Sequence, residues 1–131
     1  MLKYIIRMPP VTKKNHQQIC IDPRTGKRFV RPSTAYTRYE SAAVQCLIPK
    51  PDKPLAGHYC VTCLYYMPTL RRVDLSNLLE CTHDVLVKAG ILEDDNSRII
   101  ASVDGSRVLL DRQNPRTEIF IEEMEKENDG T

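Results

Sequence analysis

Apolar and polar positions along the chain change period several times, and each change marks an element. "LKYIIR" (2–7) reads as an opening strand that Pro9 and Pro10 stop. "QQICI" and "RFV" flank the turn residues "DPRTG", which predicts a two-stranded ribbon. From Ser33, a suitable N-cap, Tyr36, Tyr39, Ala43 and Leu47 recur at helical spacing up to about Ile48, where Pro49 ends the helix. That spacing assigns the two tyrosines to the core rather than to base stacking. A Pro-rich connector (49–57) leads to "HYCVTCLYYM" (58–67), a β-branched and aromatic run that predicts a long central strand closed by Pro68.

A second helix is predicted from about Asn77 to Ala89, with Gly90 in the left-handed position after it. Leu78, Leu79, Thr82, Val85, Leu86 and Ala89 fall on one side, and Asn77, Glu80, Asp84 and Lys88 on the other. Beyond it come a strand near 98–103, a turn at Asp104-Gly105, a final strand over 117–124 and an acidic tail (124–131) that frays. These elements predict one small α+β (α/β) domain over 1–131, a mixed sheet with two main helices packed on it.

Length and composition agree with a single modest core: 131 residues, 41% of them apolar. No apolar run is long enough to span a bilayer, and "MLKYIIRMPP" is too short and too charged for a secretory signal. The expectation is a cytoplasmic protein with no membrane partner. Five scattered cysteines fit reduced thiols. Cys60 and Cys63 form a C-x-x-C, but three residues apart on a strand they face opposite ways, which argues against zinc.

Net charge is only +2, yet residues 1–53 hold eleven Lys/Arg against three Asp/Glu, and 54–131 hold eight against fourteen. A basic half suits a polyanion and an acidic half a divalent cation; two ordinary solvated surfaces would look the same. The ribbon region carries Lys13, Lys14, Arg24, Lys27 and Arg28, with Asn15 beside the lysines. It reads either as a phosphate-contacting arm or as a solubilising loop.

The acidic residues frame the second helix. Asn77-x-x-Glu80 fits a capping box, Asp84 and Lys88 fit an i, i+4 ion pair, and Asp74 suits a helix N-terminus. The run Glu93-Asp94-Asp95 sits at the negative end of the helix, where it is an electrostatic liability. It is either a solvated turn or a set of ligands neutralised by a cation. All-oxygen ligands select Mg²⁺, with Mn²⁺ as substitute, and such an ion supplies a polarised water and charge neutralisation to phosphodiester hydrolysis. A helix of about thirteen residues is roughly 20 Å long, so Asp74 and the acidic run meet only if the chain folds back.

"RRVDLSNLLECTHDVLVKAGILEDDNSRI", with "PPVTKKN", "PSTAYTRYE" and "NPRTEIFI", resembles the RusA family of Holliday-junction resolvases over nearly the whole chain. The resemblance implies a small α/β nuclease of prophage type, a homodimer with two symmetry-related metal sites. Its substrate would be branched DNA, a four-way junction cut by paired nicks that leave 5′-phosphate ends, in DNA recombination and repair. It assigns catalysis and metal binding to Asp74 and Asp95 with Asp94 beside them, and supporting positions to Asn77 and Asp84. Two positions depart from the family pattern: Ser76 stands where a second aspartate is usual, and Glu80 where a lysine is usual. Glu80 is a candidate replacement for the missing carboxylate, and Lys13 or Lys14 for the missing cation.

Two rival readings remain: a DNA-binding or assembly protein whose carboxylates are structural, and a Mg²⁺-dependent nucleotide pyrophosphohydrolase. The latter are mostly all-helical, so the strands at 58–67 and 117–124 speak against it.

Overall fold

A computed structural model describes residues 1–13 and 17–125. In chain order the elements are β1 (Leu2–Ile6), β2 (Gln17–Ile21), β3 (Arg28–Pro32), α1 (Thr34–Cys46), β4 (Tyr59–Met67), α2 (Leu75–Lys88), β5 (Ile100–Ser102), β6 (Arg107–Leu110) and β7 (Arg116–Glu123). The chain is one small α+β domain with a mixed sheet and two helices.

The sheet runs β1-β7-β4-β5, with β6 also on β4. β7 is antiparallel to both β1 and β4, whereas β5 and β6 are parallel to β4. A parallel return needs a crossover, and α2 supplies it. Along β4 burial alternates strictly: Tyr59, Val61, Cys63 and Tyr65 are buried, and the residues between them are half-covered. Tyr4, Ile6, Thr117, Ile119 and Ile121 continue the same buried face on β1 and β7. Tyr36, Tyr39 and Ala43 of α1 and Leu78, Val85 and Leu86 of α2 close the core with them. The buried Tyr65 and Thr82 hydroxyls share a 2.7 Å hydrogen bond that links β4 to α2. The opposite face of the sheet keeps a charged ladder in which Arg116 stacks on Tyr66 and bridges Asp111 and Glu118.

β6 was not expected. "RVLL" is short and mostly exposed, and what makes it a strand is its pairing with Leu64–Met67 of β4 rather than any alternation of its own. The expected strand near 98–103 is thus one half of an interrupted strand. The interruption contains Gly105 at φ 83°, a conformation open to glycine. The expected strand ends are otherwise met within one or two residues, and Cys60 and Cys63 do lie on opposite faces of β4. Of the acidic tail, Met124 and Glu125 are exposed and the rest lies outside the described residues.

α1 starts as expected: the Ser33 Oγ accepts the Tyr36 N–H at 3.2 Å. α2 does not. Its N-cap is Asp74, whose carbonyl accepts the N–H groups of Asn77 and Leu78. The helix therefore opens two residues before the expected Asn77, and the Asn77/Glu80 capping box is not formed. Two cap-competent residues stand three apart, and the helix begins at the earlier one, whose extended backbone leads straight into Leu75 although its side chain makes no cap hydrogen bond.

At the other end, Gly90 (φ 78°) donates to the Val87 carbonyl and Ile91 to that of Leu86, a Schellman closure with Ile91 and Leu86 both fully buried. The ribbon of β2 and β3 forms its own two-stranded sheet, pairing Ile19 with Val30 and Ile21 with Arg28.

Candidate functional site

Six residues separate β4 from the N-cap of α2, and Arg71 and Arg72 lie among them, both exposed. Together with Val73 and Met67 they line a cleft of about 410 Å³ whose other wall is Pro10, Val11 and Thr12. The two segments are some sixty residues apart in sequence, and the sheet brings them together. Asp74 is the next residue in the chain after this lining. Its carboxylate is exposed, caps no backbone N–H and, among the described residues, accepts only the Asn77 side-chain amide, at 3.3 Å. Asn77 thus orients Asp74, while Ser76 and Glu80 are exposed on the first turns of α2.

The carboxylates beyond α2 differ from one another. Glu93 is held by its backbone, its N–H donating to Leu55 O at 3.0 Å. Asp94 folds the turn: its carboxylate accepts the Asp95 N–H at 2.7 Å and the Asn96 amide at 3.1 Å, and these donors lower its pKa. Asp95 is exposed and holds its charge within electrostatic reach of the His83 imidazole on α2. The segment after Gly90 is tied to the last turn of α2 through Leu86 O and to the connector before β4 through Leu55 O.

His83 was not singled out from the sequence, where it is one polar residue on a mixed face. Burial lowers its pKa, against the pull of the Asp95 and Asp84 charges, and its Nε2 is buried with no hydrogen-bond partner among the described residues. Arg71 and Arg72 were seen only as part of a motif; the signal that could have found them is a pair of arginines directly ahead of an exposed N-cap aspartate.

Asp84 does not pair with Lys88 as expected. Lys13 Nζ donates to Asp84 at 3.0 Å and lies over the Tyr36 ring, while Lys88 reaches across to Glu40 of α1 at 2.7 Å. Contacts between elements outcompete an i, i+4 pair worth a few tenths of a kcal/mol. The Lys13 N–H also meets Cys81 Sγ at 3.4 Å, so the segment leading into the ribbon is pinned to the middle of α2. Lys13, expected as a phosphate contact, is held by Asp84 here. Lys14 and Asn15 lie outside the described residues. Arg24, Lys27 and Arg28 are exposed at the ribbon's turn, where Asp22 Oδ1 accepts the Arg24 N–H and Gly26 donates to Asp22 O.

Among the described residues, no group of three or more His, Cys, Asp or Glu side chains is assembled to hold a metal ion. Asp74, Asp94 and Asp95 therefore form no such group in one copy of the chain. The cysteines are free thiols, and burial pushes Cys63 up to about 12. No helix among the described residues is long and apolar enough to cross a membrane. Comparison with protein-family models and with curated proteins returned no match for this chain.

Proposed function

We propose that the chain is a structure-specific endonuclease of the RusA kind, a homodimer that nicks four-way DNA junctions with a divalent cation, Mg²⁺ or Mn²⁺, in the cytoplasm. The observation that carries the reading is the cleft between Pro10–Thr12 and Arg71–Val73. "PPVT" and "RRVD" are the two motifs on which the resemblance leans at distant points of the chain, and they form one basic groove that ends at an exposed aspartate. Arg71 and Arg72 would take phosphate oxygens there, leaving Asp74 beside the bound strand. Asp95 is a second exposed carboxylate, and it follows directly on the turn that Asp94 folds.

A homodimer supplies what one copy lacks. In a two-fold pair each surface patch occurs twice, so Asp95 of one copy can complete the site begun by Asp74 of the other. Two such sites suit a junction, which needs two symmetric nicks.

The test is incubation of purified protein with a synthetic four-way junction, a linear duplex and nucleoside triphosphates, in Mg²⁺ or EDTA. Paired nicks confined to the junction and dependent on Mg²⁺ are the expected outcome. Mixing Asp74→Asn with Asp95→Asn protein sharpens it: each variant alone is inactive, and a mixed dimer regains one working site only where the carboxylates come from different copies. Junction binding without any cutting overturns the enzymatic reading. It would favour a DNA-binding protein with structural carboxylates, a reading that the unassembled donor set supports. Hydrolysis of the triphosphates alone would favour the pyrophosphohydrolase.

A further inference from the structure

The β2–β3 ribbon carries side chains that a solubilising or purely electrostatic arm has no use for. Ile19, Ile21 and Val30 are 73%, 63% and 58% exposed. Register puts Ile19 opposite Val30 and Ile21 opposite Arg28, so these three aliphatic residues share one face of the ribbon. Phe29, opposite Cys20, is 45% exposed on the other face. Arg24, Lys27, Arg28 and Arg31 surround them, against Asp22 as the one acid between residues 17 and 32. Among the described residues none of these four cations is in an ion pair.

We propose that the aliphatic face of the ribbon is a wedge that packs against base-pair faces exposed at the branch point of DNA, while the four cations hold the flanking phosphates. The inference rests on the nuclease reading and adds to it the element that would tell branched DNA from linear duplex. Charge decides the occupant. A second ribbon docked on the aliphatic face would set Arg28 and the cations of the turn against like charges, whereas a phosphate backbone neutralises them. Strands of five residues make a ribbon about 17 Å long, of a width that enters a DNA groove. Exposed base-pair faces are apolar and flat, and side chains such as Ile and Phe are those that insert between base steps. A linear duplex offers such faces only after unstacking, at a cost of a few kcal/mol per step; a junction centre offers them already open.

The experiment compares wild type with the triple variant Ile19→Ser/Ile21→Ser/Val30→Ser, whose thermal midpoint should be unchanged because all three side chains are exposed. The probes are a four-way junction with 2-aminopurine at the branch point and a linear duplex of equal length, both in EDTA. Wild type should raise the 2-aminopurine fluorescence. The variant should lose that rise and about tenfold or more in junction affinity, while its duplex affinity and the slope of affinity with salt stay as they were. Equal losses on junction and duplex, or an unchanged fluorescence rise, overturn the wedge and leave the nuclease reading standing if the junction is still cut. A variant that elutes at half the wild-type mass overturns it in favour of an interface between copies. Wild type that neither binds nor cuts junctions overturns both.

Discussion

The two ends of α2 are both acidic, and they use their carboxylates differently. At the N-terminal end Asp74 caps the helix with its backbone and leaves its side chain in solvent beside two arginines. At the C-terminal end Asp94 is committed to its own turn through two hydrogen bonds, and only Glu93 and Asp95 keep carboxylates free of described hydrogen bonds. Asp74 meets only the Asn77 side-chain amide among the described residues and holds no backbone group, whereas Asp94 is occupied by its own turn. The proposed site therefore draws on Asp74 and Asp95, and Asp94 shapes the turn that carries Asp95.

The strongest break in this comparison is Asp74→Asn or Asp95→Asn. Each should lower junction cleavage at least about a hundredfold with the thermal midpoint unchanged, since neither side chain holds the fold together. A variant that still cuts within a few-fold of wild type would remove its residue from the site. Glu80→Ala should abolish cleavage in the same assay if Glu80 replaces the carboxylate missing at Ser76, and near-normal activity rejects that role.

Asp94→Ala should cost less, about tenfold in cleavage, because it loosens the turn that presents Asp95 rather than removing a free carboxylate. Hydrogen exchange at the Asp95 and Asn96 amides would register the loosening directly.

His83 gives the smallest effect and a sign that can be worked out. Its folded-state pKa lies below the ordinary 6.5, so the unfolded chain binds the proton more readily. The stability it contributes is fully present above about pH 6.5 and is lost as pH falls through the lower folded-state value. Urea titrations at pH 8 and pH 5 should show a drop that His83→Gln reduces, and an unchanged drop would place the acid sensitivity elsewhere.

Much of this was legible in the sequence wherever one period holds over a whole element. Tyr36, Tyr39, Ala43 and Leu47 are buried as their spacing requires, and β4 alternates as its residues do. What was not legible depends on partners far away in the chain. β6 is a strand because of β4, the Lys13–Asp84 pair spans 71 residues, and the basic cleft joins the first turn of the chain to the loop before α2. The start of α2 failed for a local reason: Asp74 and Asn77 are both good caps, and propensity does not rank them. The acidic run was visible as an oddity, but the sequence could not say that one of its members was spent on folding the turn.

The interrupted strand at the rim of the sheet bears on how the protein behaves in a crowd. Three residues of β5 and four of β6 pair with β4, and between them Thr62 Oγ1 donates to Asp104 O while Ser106 Oγ accepts the Cys63 N–H. The gap is stitched by side chains, so the outer border offers an incoming strand only two short runs out of line with each other. A stranger's backbone finds no continuous template along that border, so it is protected against edge-to-edge pairing in a way that the unbroken β1 border is not.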